Sequence, residues 1–307
     1  MSNEVIENVI ELKNVTKDYG DFKLDDVNIS VPKGCICGFI GQNGAGKTTT
    51  ISLILDIIKK DAGEIKVWGK SMDKDALEIK EKIGVVFDEM GFHDFLTPNE
   101  INRMMRNVYK NWSEEKFFEY LKIFGLPSKK KCGKFSRGMR MKLQIAVALS
   151  HNAELLIMDE PTSGLDPIVR NEMLQIFQEF VMEENHTILL SSHITVDLER
   201  IADNVIFINR GKIILQGVKD EILENHGLMK CKKSDVEAID KKYVVATRPS
   251  AFCTEVLVND KEACRRLYPN LTMEQPGLEE IMIFYVSNHN GEMFVANEST
   301  TDDKDNN

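Results

Sequence analysis

Between residues 9 and 31 apolar and polar positions alternate on either side of a turn at Tyr19-Gly20-Asp21, which predicts antiparallel strands feeding a sheet. The pattern then changes period. Residues 35–40 form a short apolar run, a glycine-rich turn follows, and residues 48–59 carry helical spacing, giving strand, loop and helix. From 97 to 149 the pattern reads as wholly helical. It opens on Thr97-Pro98-Asn99-Glu100, where a Thr cap, a first-turn Pro and a Glu form a capping box, and a second helix after Trp112-Ser113 stops at Gly125. Two four-residue apolar runs, 155–158 and 187–190, predict central parallel strands buried on both faces. Between them Asp166-Pro167 caps a helix to about Glu184, and residues 205–216 read as a hairpin turning at Arg210-Gly211.

The compact text ends near Asn225, which makes 1–225 one expected domain with a helical part at about 89–150. Beyond it, short strands at 241–247 and 253–258 and a helix at 278–285 predict a small α+β accessory domain over 226–296. Residues 297–307 are polar, acidic and aperiodic, so a disordered tail is expected. Two unequal parts suit 307 residues, because single hydrophobic cores stop growing at about 250–300 residues.

Composition excludes some functions. With 39 basic against 49 acidic residues the formal charge is −10, which disfavours a general role on nucleic acid or anionic lipid. The six cysteines form no C-x-x-C pair and have no His partner at zinc-ligand spacing, so free thiols in a reduced compartment are expected. The opening MSNEVIENVIELK lacks the basic flank and apolar run of a signal peptide. The longest apolar runs fall far short of the ~20 residues that cross a bilayer, so any membrane role is expected to need a partner.

Chemistry enters at Gly41-Gln42-Asn43-Gly44-Ala45-Gly46-Lys47-Thr48, followed by Thr49. This segment fits G-x-x-x-x-G-K-[ST] in the strand-to-helix setting that the motif requires. The glycines let the backbone curl so that successive N–H groups and the helix N-terminus face phosphate oxygens. Lys47 adds a point charge, and the Thr48 hydroxyl is placed for Mg2+. This much predicts triphosphate binding and leaves kinases, GTPases and many motors open.

The strand 155–158 ends on Asp159-Glu160, two acids that alternation points in different directions. Asp159 suits the Mg2+ shell and Glu160 suits a general base for an attacking water. The run Asp159-Glu160-Pro161-Thr162-Ser163-Gly164-Leu165-Asp166-Pro167 resembles the Walker B and D-loop text of ABC ATPases. Phe135-Ser136-Arg137-Gly138-Met139 resembles their L-S-G-G-Q signature, with Ser136 and Gly138 fitting and Phe135, Arg137 and Met139 departing. Ser136 at a helix N-terminus offers a second anion site.

The resemblance implies an α/β fold of the P-loop NTPase type: a RecA-like core, an antiparallel β-subdomain and a helical subdomain. It implies ATP and Mg2+ as cofactors, His193 as the switch residue at the γ phosphate and Tyr19 stacked on adenine. It further implies a head-to-tail dimer, with a second copy or a homologous ATPase, in which Ser136 and Gly138 serve the partner's nucleotide. Where the family has glutamine after the strand 84–87, this chain has Asp88, which could still ligate Mg2+ while adding charge beside the γ phosphate.

A single cassette without a membrane span predicts an ATPase subunit at the cytoplasmic face of a membrane, bound to a permease on another chain. Phe92, Phe95, Met104, Met105 and Tyr109 would either receive that permease or form ordinary core. The variant signature and C-terminal extension resemble bacterial exporters of antibiotics and peptides, including phenol-soluble modulins. The competing reading is a soluble regulatory ATPase without transport.

Overall fold

A computed structural model describes residues 7–183, 185–250 and 252–290. The alternating N-terminal segment forms β1 (Asn8–Asp18) and β2 (Lys23–Pro32), and the apolar run that follows forms β3 (Ile36–Ile40). After the glycine-rich loop come α1 (Lys47–Ile54), β4 (Ala62–Val67), β5 (Lys70–Ser71), α2 (Met72–Glu81) and β6 (Ile83–Val86). Helix α1 ends five residues ahead of the expected 59, because Asp56 turns left-handed at φ 54.

The stretch read as wholly helical is interrupted, and its second helix lies where expected, between Ser113 and Gly125. It contains α3 (Pro98–Val108), α4 (Glu114–Ile123) and α5 (Arg137–Leu149). Tyr109 is extended at the end of α3, Ser113 caps α4, and Gly125 at φ 64 stops it, so backbone groups leave the helical ladder at each break. The Thr97 capping box does form at the start of α3. Next come β7 (Leu155–Asp159), α6 (Pro167–Val181), β8 (Thr187–Ser192), α7 (Thr195–Ile201), β9 (Asn204–Asn209), β10 (Lys212–Val218) and α8 (Lys219–Asn225). The expected end of α6 near Glu184 lies outside the described residues.

Two sheets result. One is antiparallel in the order β2-β1-β4-β5, and the other has six strands in the order β10-β9-β3-β8-β7-β6. In the second, β6, β7, β8, β3 and β9 run parallel, and β10 returns antiparallel through a turn with Arg210 at φ 47 and Gly211 at φ 76. Every residue of β3, β7 and β8 is buried, as apolar strands covered on both faces require. One apolar cluster joins the two sheets around α1, from Val9, Leu12 and Ile29 through Ile51 and Ile54 to Ile157, Leu189 and Ile206.

The chain divides into two compact units after Lys219, ahead of the expected boundary at 225. The polar contacts of α8 and of the residue after it explain the difference: the Leu223 carbonyl accepts from Gln275, and His226 bonds to the Tyr285 hydroxyl at 2.9 Å. The second unit contains β11 (Gly227–Cys231), α9 (Lys233–Val236), β12 (Val244–Pro249), β13 (Thr254–Val258), α10 (Lys261–Leu267), β14 (Thr272–Glu274) and α11 (Leu278–Asn290). Its antiparallel sheet, ordered β12-β13-β11-β14, closes a small core around Met229, Val256, Val258 and Cys264. The tail expected at 297–307 lies outside the described residues.

All six cysteines are free: Cys35, Cys37, Cys132, Cys231 and Cys264 are buried, and Cys253 is partly exposed. Burial pushes the Cys35 thiol up to about 11.

His151, just past α5, fastens that helix to the sheet. Its ring stacks on Tyr109 at 3.9 Å between centroids, and its nitrogens face the carbonyls of Val147 at 3.3 Å and Ile83 at 3.1 Å. Burial lowers its pKa below the ordinary 6.5, although both carbonyls act in the opposite sense. The unfolded chain therefore takes up this proton first. The stabilising contribution is fully present above 6.5 and is lost as pH falls through the lowered folded value. We expect the urea midpoint to fall on acidification from about pH 7.5 to about pH 5.5. His151→Asn should flatten that fall, leaving the separate contribution of His226, whose pKa burial also lowers. An equal fall in both proteins would refute the assignment.

Candidate functional site

Parallel strands deliver their C-terminal ends to one rim of the sheet, where α/β folds place their ligands. Ile40 pairs with Ser192, Asp159 with Ser191, and Val86 with Met158. The loop from Gly41, the acids Asp159 and Glu160, His193 and Asp88 therefore all leave the sheet on the same side.

The loop curls around an open centre. Gly46 stands at φ 115, and a methyl there would lie 2.7 Å from Cδ2 of Leu24 and 3.0 Å from Cζ of Phe22, so only glycine fits. The hairpin turn braces the loop from behind, with the Gly211 N–H donating to the Ala45 carbonyl at 2.9 Å. A cleft of about 350 Å³ opens above it, walled by Gln42, Asn43, Gly44, Lys47, Thr48, Thr49 and Glu160. The N–H groups at the start of α1 have no helical partners and present a positive dipole end to this space.

Lys47 is only 5% exposed. Its ammonium donates to the carbonyls of Gly41 at 2.7 Å and Gln42 at 3.3 Å and lies 3.1 Å from Oε1 of Glu160. That last contact is off the line of a hydrogen bond, so Oε1 takes charge attraction from Lys47 and no hydrogen bond. Asp159 is also 5% exposed and is satisfied on both oxygens. Thr48 Oγ1 donates to Oδ2 at 2.7 Å, and the Ser191 hydroxyl donates to Oδ1.

Glu160 adopts φ 52, a left-handed backbone uncommon for a residue with a long side chain. Its N–H is held by the carbonyl and hydroxyl oxygens of Ser191, each at 3.2 Å. The turn aims the carboxylate across the cleft, where Oε2 accepts from His193 Nδ1 at 2.7 Å and from the His193 backbone N–H at 3.3 Å. Nδ1 thus carries a proton, and Nε2 remains for another partner.

The hydroxyl of Thr48 and the carboxylate of Asp159 are a pair of hard oxygens at the mouth of the loop, which suits Mg2+. Among the described residues there is no cluster of three or more His, Cys, Asp or Glu that could hold a metal alone. An ion here would complete its shell with phosphate and water oxygens, as Mg2+ commonly does.

Two expected residues stand elsewhere. Tyr19 is 53% exposed under the Lys17 ammonium, while Phe22 forms part of the cleft wall. The turn closed by the Tyr19 N–H and the Phe22 carbonyl at 2.9 Å accounts for this, turning one ring outward and the other inward. Phe22 is the wall residue that the sequence reading missed; its place two residues before the buried Leu24 was the available signal. Asp88 does not join Thr48 and Asp159, because the Arg137 guanidinium holds its carboxylate in an ion pair.

Ser136 and Gly138 line a different cleft, of about 360 Å³, beside Gly164 and Asp166. There the Ser136 hydroxyl caps α5 by accepting from the Met139 N–H at 3.2 Å. Of the stripe left open between docking surface and core, Phe95 and Met104 are exposed, whereas Tyr109 turns inward onto His151. No helix among the described residues is long and apolar enough to cross a membrane.

A sequence model of the family described as ABC transporter matches residues 24–163. The bacitracin transport ATP-binding protein BcrA of Bacillus licheniformis is 43% identical over 67% of this chain and 68% of its own length. The linearmycin resistance ATP-binding protein LnrL of Bacillus subtilis is 33% identical over 83% of each chain. A solved dimeric structure of MJ0796, a bacterial ABC transporter cassette, superposes with a TM-score of 0.61 at 25% identity, over 68% of this chain and 98% of that one. The match spans both the phosphate loop and the strand that ends on Asp159-Glu160, and the chain belongs to the ABC transporter family as an ATP-binding subunit that hydrolyses ATP.

Proposed function

We propose that this subunit powers export of an amphipathic antibiotic or peptide through a permease on a separate chain at the cytoplasmic face of the membrane. Relatives whose names specify bacitracin transport and linearmycin resistance support the cargo class. The separate cleft at Ser136 and Gly138 supports a head-to-tail dimer, because an anion site that does not face its own phosphate loop suits a partner's nucleotide. The partner would be a second copy or a homologous ATPase.

The observation that carries the mechanism is the Glu160 carboxylate, held between Lys47 and His193 over the phosphate loop. An incoming triphosphate competes with Glu160 for Lys47 and takes the free N–H groups at the start of α1. Glu160 then keeps His193 as its partner and acts as general base toward the attacking water. His193 orients the carboxylate through Nδ1–H, and a γ phosphate oxygen, itself an acceptor, takes a hydrogen bond from Nε2 only in the doubly protonated ring. Thr48 and Asp159 would hold Mg2+, which supplies shielding of the β and γ phosphate charges. Phe22 gives the cleft its apolar wall.

Two outcomes test this reading. Glu160→Gln keeps the shape and removes the base, so steady-state ATP turnover should drop by about 10²-fold or more while ATP binding persists. An ATP-dependent dimer should accumulate in gel filtration, and retained turnover would remove Glu160 from the chemistry. Phe22→Ala should weaken binding of a fluorescent ATP analogue by about fivefold, near 1 kcal/mol, with Tyr19→Ala close to the parent. The reverse order would return the stacking role to Tyr19.

A further inference from the structure

Asp88 and Arg137 stand at two positions where this chain departs from the ABC pattern, one a carboxylate in place of glutamine and the other a guanidinium in place of glycine. They lie 49 residues apart in sequence and form an ion pair with each other. Each side chain is about half exposed.

Two further contacts frame the pair. Gln144, one heptad beyond Arg137 on α5, clamps the residue before Asp88: its Nε2 donates to the Phe87 carbonyl at 3.0 Å, and its Oε1 accepts from the Phe87 N–H at 3.3 Å. Gly164, at φ 65 in the turn after Glu160, lies against the guanidinium. A methyl there would sit 2.9 Å from Nη1 and 3.0 Å from Cζ of Arg137. Helix α5 thus grips the segment leaving β6 by backbone and by side chain, and the same arginine touches the turn that follows Glu160.

The charge argument concerns the rim. Asp88 leaves the sheet two residues past Val86, whose registered partner Met158 precedes Asp159. A free carboxylate there would add to the negative charge of Asp159 and Glu160 on the side that receives a polyanion. The ion pair cancels that charge and holds it toward α5.

We propose that Arg137 is a positioning residue for ATP hydrolysis: it neutralises and holds Asp88, so that the rim keeps the charge balance a neutral amide would give, and it links the segment after β6 to α5 and to the turn at Gly164. The inference rests on the triphosphate lying over Gly41–Thr48 with Glu160 as base. It differs from a signature-loop contact to a partner's nucleotide, because it makes the need for Arg137 conditional on an acid at 88.

The test is a double-mutant cycle in the full-length chain, read as kcat and KM for ATP and as the Mg2+ concentration giving half-maximal rate. Arg137→Ala should lower kcat/KM by about tenfold and shift the Mg2+ midpoint, since an uncovered carboxylate adds negative charge at the rim. Adding Asp88→Asn to that variant should recover the rate to within about threefold of the parent and return the midpoint. Arg137→Gln, which keeps the aliphatic stem to Cδ and loses the charge, should behave as Arg137→Ala does, and it serves if the shorter variant melts below the assay temperature.

A double variant as slow as Arg137→Ala alone, or a parental Mg2+ midpoint in both single Arg137 variants, would overturn the proposal. Glu160→Gln measured alongside separates the two levels: turnover surviving there counts against the assignment of the base, whatever the cycle shows.

Discussion

A carboxylate at the end of a strand buried on both faces has no water to turn to, and the site is organised around meeting that need. Asp159 takes one hydrogen bond from Thr48 on α1 and another from Ser191 on β8, so the acid that suits the metal also fastens the phosphate loop to the central strands. An unpaired buried carboxylate would carry a large desolvation penalty, which is why both partners are hydroxyls aimed inward. Ser191 has a second task. By holding the Glu160 N–H it sustains a left-handed backbone that would otherwise be costly, and that backbone places the next acid over the cleft.

The Lys47–Glu160 contact then has a clear electrostatic meaning. Both charges sit in a poorly solvated wall where attraction is stronger than in water, yet the geometry gives Oε1 no hydrogen bond. A contact held by charge alone can be exchanged for another anion without stranding a donor, since Lys47 keeps its two carbonyl partners. Glu160 likewise keeps His193. The site is thus built so that a polyanion can replace one carboxylate at the ammonium while every other polar group stays satisfied.

What the sequence disclosed was what is encoded locally. Gly41 to Thr48 and the strand ending on Asp159-Glu160 could be read because each motif carries its whole geometry within a few consecutive residues. The Thr97 capping box and the Arg210-Gly211 turn were legible for the same reason. The limits of α4, at the Ser113 cap and at Gly125, were legible too, and so was the start of α5 at Ser136, whereas the end of α3 at Val108 carried no marker of its own. Whether Tyr19 or Phe22 faces the cleft depends on the closure of one turn, which alternation does not settle. The partnership of Asp88 with Arg137 spans 49 residues and exists only once α5 has docked beside β6. In the second unit, β11, α10 and β14 were passed over; β14 and α10 span only three and seven residues, too few for either period to register.

The distribution of sulfur gives the two units different vulnerability to oxidants and electrophiles. Cys35, Cys37 and Cys132, the cysteines of the ATP-binding unit, are all buried, and Cys35 is held far from ionisation at neutral pH by its surroundings. Thiol chemistry requires an accessible thiolate, so the catalytic unit should be inert toward alkylating reagents and peroxide at its cysteines. Cys253 is the partly exposed cysteine and lies in the second unit. A single maleimide or fluorophore would therefore land there in the native chain, marking one unit while leaving the motor chemically silent.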